Sequence, residues 1–168
     1  NYAPRINTVT FTPNSGTLKI GDKATATISI IGNETGLLAG PTMTINGKNV
    51  SATLTELGGG QYRVVYTVAE GDTKILDSSD LPVSLQIRDA YGNNSLSYTT
   101  ADAGNRPGVD GTRPSITALS IPNTAYKIGD TVTVTATVVS DTETYSLGAT
   151  TINGTNATNP VKLNDTTY

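Results

Sequence analysis

Lys19-Ile20-Gly21-Asp22 runs directly into Lys23-Ala24-Thr25-Ala26-Thr27-Ile28-Ser29-Ile30-Ile31, and the same four-residue word returns at Lys127-Ile128-Gly129-Asp130, ahead of Thr131-Val132-Thr133-Val134-Thr135-Ala136-Thr137-Val138-Val139. In the first run Ala24, Ala26, Ile28 and Ile30 fall on one side, and Thr25, Thr27 and Ser29 on the other. A two-residue period of that length marks a strand buried on one face. A chain that spells this turn-and-strand phrase twice owes it either to a biased composition or to two copies of one folding unit.

The flanking residues decide between the two. The repeated words stand at 19 and 127, an offset of 108; upstream, PRINTVTF at 4–11 matches PSITALSI at 114–121, an offset of 110; downstream, TING at 44–47 matches TING at 151–154, an offset of 107. Three collinear matches at nearly constant spacing indicate an internal repeat.

Composition agrees with such a unit being built of strands. The chain has 168 residues, 36% of them hydrophobic and 15% charged, with one Met, one Phe and no Cys, His or Trp. Thr and Val suit pleated strands, and Gly and Asn suit the tight turns between them. So lean an apolar content predicts narrow two-sheet cores, yet it is too apolar and too weakly charged for disorder. A net charge of -3 without a Lys/Arg cluster excludes a nucleic-acid face. No run of about eighteen apolar residues predicts a membrane span. Asn1 in place of Met leaves room for an upstream secretion signal.

Along the first copy, strands are predicted near residues 5–12 and over 23–31. A pair follows within 41–57, turned by Asn46-Gly47, a hairpin signal because both central positions need positive φ. Gly58-Gly59-Gly60 makes another turn, and 61–68 alternates through Tyr62, Val64, Tyr66 and Val68. Val83, Leu85 and Ile87 share a face of the next strand, AYGNN turns the chain, and SLSYTT at 95–100 is the last strand. Seven strands in about one hundred residues is the count of an immunoglobulin-like sandwich. The expected fold is therefore all-β, with tandem immunoglobulin-like β-sandwiches: one at 1–100, a Gly/Asp/Pro-rich linker at 101–113, and the N-terminal half of a second at 114–168. An incomplete sandwich exposes strand edges. Its completion falls either to further residues of a longer chain or to a strand from another copy, as in donor-strand assembly.

Three phrases, YKIGDTVTVTATV, IRDAYGNNS and VDGTRPSI, together resemble the repeat grammar of bacterial and archaeal Ig-like modules. In those modules a K-x-G-D turn precedes the second strand, a D-A-x-G-N turn joins the last two, and a V-D-x-T-x-P phrase opens the next module. The resemblance spans essentially the whole chain. It implies an extracellular, non-catalytic spacer or lattice role in a surface-layer protein, adhesin stalk or secreted multidomain protein, with neighbouring Ig-like modules as partners and self-association a further option.

In several such arrays the joints bind calcium. An Ig-like topology would put Asp22, Asp72, Asp77 and Asp80 at one pole of the first module, and Asp110 toward Asp141 and Glu143 of the second. Calcium takes six to eight oxygens, several from carboxylates. Two readings stand side by side: a Ca2+ site at the junction built from Asp110, Asp141 and Glu143 with Asp72, Asp77 and Asp80, or ordinary turn residues bonding their own backbone. Asp89 and Asn93 carry the same two readings: the cap of the RDAYGNN turn with Gly92 at positive φ, or a calcium site facing a preceding module.

Without His or Cys the usual nucleophile–base arrangements and zinc sites cannot be built. Asp77 and Asp80 are the one candidate acid pair, and no aromatic-rich cleft accompanies them. The expectation is no enzyme and no cofactor beyond calcium. Carbohydrate or ligand binding through Tyr91, Tyr98, Tyr126 and Tyr145 is the alternative, with a filament or lattice subunit completed by donor strands as a third reading. Six Asn-X-Ser/Thr sequons, at Asn33, Asn49, Asn93, Asn153, Asn156 and Asn164, are compatible with secretion and glycosylation.

Overall fold

A computed structural model describes residues 2–102, 104, 106–140, 144–158 and 161–168. Its regular structure is almost entirely β, and the chain divides into two compact units, Asn1–Thr112 and Arg113–Tyr168. Among the described residues no helix is long and apolar enough to cross a membrane.

In the first unit the strands are β1 (Ile6–Thr12), β2 (Thr17–Lys19), β3 (Lys23–Ile30), β4 (Leu38–Ile45), β5 (Lys48–Asn49), β6 (Thr55–Gly58), β7 (Gln61–Thr67), β8 (Val83–Arg88) and β9 (Gly108–Asp110). One sheet has the order β1-β3-β7-β6 and another β5-β4-β8, all antiparallel. The alternation read in the sequence sets the core. Ala24, Ala26, Ile28 and Ile30 of β3, with Tyr62, Val64 and Tyr66 of β7, are buried in one cluster with Met43 and Ile45 of β4 and Val83, Leu85 and Ile87 of β8. Apolar faces of two sheets closing on each other is the arrangement of a β-sandwich. Burial of those side chains is its main source of stability, on the order of 2 kcal/mol for each large aliphatic or aromatic group.

Two boundaries differ from expectation. SLSYTT does not form a continuous strand: Tyr98 bridges Leu85 and Asn94 bridges Arg88, and between them Ser95 N–H donates to Ile87 O at 2.8 Å. Within the stretch 101–113, expected as a linker, Ala101 and Val109 are instead buried in the core of the first unit and β9 pairs in parallel with β2. Gly108 and Gly111 there lie close against the backbone of the loop after β7.

The second unit contains β10 (Ile116–Ser120), β11 (Thr135–Val138), β12 (Thr151–Ile152) and β13 (Thr155–Asn156). Its strand pairs and turns repeat part of the first unit's pattern. β1 meets β3 with Ile6 opposite Ile30, Thr8 opposite Ser29 and a bulge between; β10 meets β11 with Ile116 opposite Val138, Ala118 opposite Thr137 and a bulge at the same step. The KIGD turns coincide too. Asp22 Oδ2 accepts the Lys19 N–H at 2.9 Å and Asp130 Oδ2 accepts the Lys127 N–H at 2.7 Å, while Gly21 and Gly129 both have φ of 93°. Both TING hairpins use left-handed pairs, with φ of 50° and 72° at Asn46-Gly47 and of 47° and 79° at Asn153-Gly154.

β11 is shorter than the alternation over 131–139 suggests. In the first unit, the early residues of β3 pair with Val65, Tyr66 and Thr67. The counterpart of Tyr62 is Tyr168: Ile28 faces Tyr62, and Ala136 exchanges backbone bonds of 2.8 and 3.0 Å with Tyr168. Residues 131–134 thus lack that pairing on one side, and on the other Pro122, which has no N–H to give, stands where β1 has Thr12.

Candidate functional site

The feature with the most specific chemistry is the end of the first unit, where its first and last stretches run side by side. Asp102 N–H donates to Val9 O at 3.0 Å, Arg106 N–H to Asn14 O at 3.0 Å and Gly108 N–H to Gly16 O at 2.9 Å, leading into the parallel β2–β9 pair. On its other edge β9 is bonded to the loop after β7: Ile75 and Val109 exchange N–H···O bonds of 2.9 and 2.8 Å, and Gly71 N–H reaches Gly111 O at 2.9 Å. Val109 is thus held on both edges and fully buried.

Two glycines make this approach possible. A Cβ on Gly108 would lie 2.8 Å from Asp77 N and 2.9 Å from Ile75 O; one on Gly111 would lie 2.8 Å from Ala69 O and from both Asp72 N and O. Those contacts are with backbone, which cannot swing aside. Any larger residue forces the loop and the closing strand apart.

Asp72 anchors the loop. Its Oδ2 accepts the Tyr66 hydroxyl at 2.6 Å and the Ala69 N–H at 2.9 Å, and the Lys48 ammonium lies 2.8 Å from Oδ1 as an ion pair rather than an aligned hydrogen bond. The Tyr66 hydroxyl also accepts from Asn46 Nδ2 at 3.2 Å, and the same amide reaches Thr73 O at 2.9 Å. The Asn-Gly hairpin, β7 and the acidic loop are therefore joined through one buried polar network. Burial pushes the Asp72 carboxyl up, but the Ala69 amide, Lys48 and Tyr66 outweigh it and leave it below the ordinary carboxylate range. Burial, reinforced by the Asp72 carboxylate, pushes the Tyr66 phenol up to about 12.

The remaining acids expected at the joint are spread among separate partners. Asp80 accepts from Arg106 Nε at 2.7 Å. Asp110 Oδ1 accepts the Thr112 N–H at 2.9 Å, and its Oδ2 lies 3.8 Å from Lys74 Nζ. Asp22 caps the KIGD turn, and Asp77 is exposed in the loop beside Gly108. Asp141 and Glu143 lie outside the described residues. Among the described residues no three acids converge on one point.

Asp89 is a turn cap of the expected kind. Its Oδ1 accepts the Tyr91 and Asn93 N–H groups at 2.9 and 2.8 Å, its Oδ2 accepts Asn93 Nδ2 at 2.9 Å, and Gly92 has φ of 90°. The Asn93 side chain, then the backbone amides around it, hold the carboxyl below its usual range against the effect of burial. The Asn93 amide is thereby occupied, whereas Asn33, Asn49, Asn153, Asn156 and Asn164 are exposed.

Tyrosines weighed as a sugar platform have other bonds to make. The Tyr98 hydroxyl donates to Asp102 at 3.1 Å, the Tyr126 hydroxyl to Pro122 O at 3.2 Å, and the Tyr145 ring sits 5.6 Å from that of Tyr168. Tyr91 alone of the four is largely exposed. A tyrosine role that the sequence did not disclose is a clamp used twice: the Tyr62 hydroxyl accepts the Leu37 N–H at 3.1 Å, and the Tyr168 hydroxyl accepts the Tyr145 N–H at 3.0 Å. The two pairs stand close to the repeat spacing, with Tyr145 at an offset of 108 from Leu37 and Tyr168 at 106 from Tyr62.

Compared with protein-family models, with curated proteins and with solved structures, the chain has no match in any of the three.

Proposed function

We propose that the chain is a non-catalytic structural repeat of an extracellular cell-surface protein, a spacer or lattice element of the surface-layer or adhesin-stalk kind. The reading is carried by reuse of one strand frame, with the same bulge, turn, hairpin and tyrosine clamp, in both units. Chains extend by reiterating such units when the task is to hold a distance. An immunoglobulin-like topology is supported by the β1-β3-β7-β6 order facing β5-β4-β8, with residues 94–98 bridging the far edge of β8.

The closing strand gives this role its physics. Because β2 and β9 run parallel, tension on the chain before β2 and after β9 pulls the two strands past one another, loading their bonds together instead of one at a time. Cohesion of the first unit comes from its own groups, with Asp72, Asp80 and Asp110 facing Lys48, Arg106 and Lys74.

Single-molecule pulling on the chain tests this. Val109→Pro removes the N–H that bonds Ile75 O on the edge of β9 away from β2, loosening the seat of the load-bearing strand, and it is expected to lower the unfolding force of the first unit severalfold while the unit remains folded at rest. Equal forces for the parent chain and the variant would contradict the mechanical role.

A further inference from the structure

Two of the six sequons occupy one place in the repeat. Asn49-Val50-Ser51 and Asn156-Ala157-Thr158 stand 107 residues apart, the offset of the TING words that precede them. The residues around them change: Thr155 replaces Lys48, Ala157 replaces Val50 and Thr158 replaces Ser51. What stays is an asparagine and a hydroxyl two positions later, the two features an N-linked acceptor requires. Other sequons do not recur in this way. At the places matching Asn33, Asn153 and Asn164 the chain has Asp141, Asn46 ahead of Gly47-Lys48, and Leu57.

Both units hold the backbone of this sequon alike. Asn49 lies opposite Thr44 in the β4–β5 pair, and Asn156 opposite Thr151 in the β12–β13 pair. The middle residue then bonds back across the hairpin, Val50 N–H to Met43 O and Ala157 N–H to Thr150 O, each at 2.9 Å. Successive side chains on a strand point to opposite faces. Val50 is accordingly buried and Ala157 half-buried, whereas Asn49 and Asn156 are exposed. Asn49 Oδ1 accepts the Ser51 N–H at 2.8 Å, a bond that aspartate would make equally well and that gives no reason for a hydroxyl at 51. At Asn93 the nitrogen that a sugar would need is instead bonded to Asp89 Oδ2 at 2.9 Å.

We infer that Asn49 and Asn156 are N-glycosylation sites, one per repeat, and that the donor is a sugar carried on a lipid diphosphate. Asn Nδ2 forms a bond to the anomeric carbon of that sugar as the carbon–oxygen bond to the diphosphate breaks. The diphosphate leaves with the electron pair, and one amide proton passes to a base of the transferase. The placement has a physical use, because β5 is an edge of the β5-β4-β8 sheet and a hydrated sugar on it obstructs edge-to-edge pairing between chains. This inference goes beyond the structural role and can fail while the force behaviour of the first unit stands.

The test is site-resolved glycopeptide mass spectrometry of the protein isolated from the cells that produce it, beside variants made in the same cells. Sugar is expected on Asn49 and Asn156, with at least tenfold lower occupancy at Asn93. Ser51→Ala keeps the Asn49 side chain and the backbone N–H it accepts, and is expected to lose the sugar at Asn49 while keeping that at Asn156. Ser51→Thr is expected to keep both. Bare asparagine at either position in the parent protein, sugar persisting on Asn49 in Ser51→Ala, or equal occupancy of Asn93 would overturn the inference.

Discussion

Asp72 shows how one side chain can serve the fold where a ligand site was a reasonable expectation. Its side chain is completely buried, and both oxygens face protein donors, Tyr66 and the Ala69 amide on one and the Lys48 ammonium on the other. Asp72→Ala leaves the Tyr66 hydroxyl and the Ala69 N–H short of an acceptor, a cost of roughly 2–4 kcal/mol in denaturant unfolding of the first unit. The titration has a definite sign. Asp72 has its folded pKa depressed below 3.8, so the stability it contributes is present above about pH 4 and drains away as the pH falls through the folded value. Tyr66 is raised from 10.0 to about 12, so its contribution is intact below pH 10 and is lost as the pH climbs toward 12. Melting temperature against pH is therefore expected to be flat between those limits and to fall on both sides. Asp72→Asn should make the acid limb shallower and Tyr66→Phe the alkaline limb, and limbs unchanged in both variants would contradict the network. None of this was legible in the sequence, where Gly71-Asp72 reads as a turn, because the partners come from β5 and β7.

At the level of elements, what the sequence disclosed and what it hid divide along a physical line. β3, β7 and β8 were legible because one face of each is buried and the other is not, which writes a two-residue period into Ala24–Ile30, Tyr62–Tyr66 and Val83–Ile87. The KIGD and Asn-Gly turns were legible because positive φ restricts residue choice. β9 was not. Three residues are too few to show a period, and Gly108 and Gly111, which read as flexibility, are there for close packing against Asp77, Ala69 and Asp72. Gly111→Ala tests that distinction. A true linker would accept alanine without loss, whereas a strand end with no room for a Cβ should lose roughly 1–3 kcal/mol of first-unit stability in urea unfolding. An unchanged midpoint would return residues 101–113 to the status of a linker.

For the whole molecule, the decisive feature is that two units at a nearly constant sequence offset share the register and bulge of one strand pair and the same two turns. A repeat does not by itself name a partner, because spacer, lattice and adhesive roles place the same demand on the frame. What distinguishes a reiterated module from a chance echo is register, and register is measurable. Backbone NMR of the 168-residue chain should show cross-strand contacts pairing Thr8 with Ser29 and Ile6 with Ile30, and, at the same step with the same bulge, Ala118 with Thr137 and Ile116 with Val138. Pairing in the first unit alone, a register shifted by one residue in the second, or helical contacts through Thr135–Val138 would contradict the claim that one folding unit is used twice.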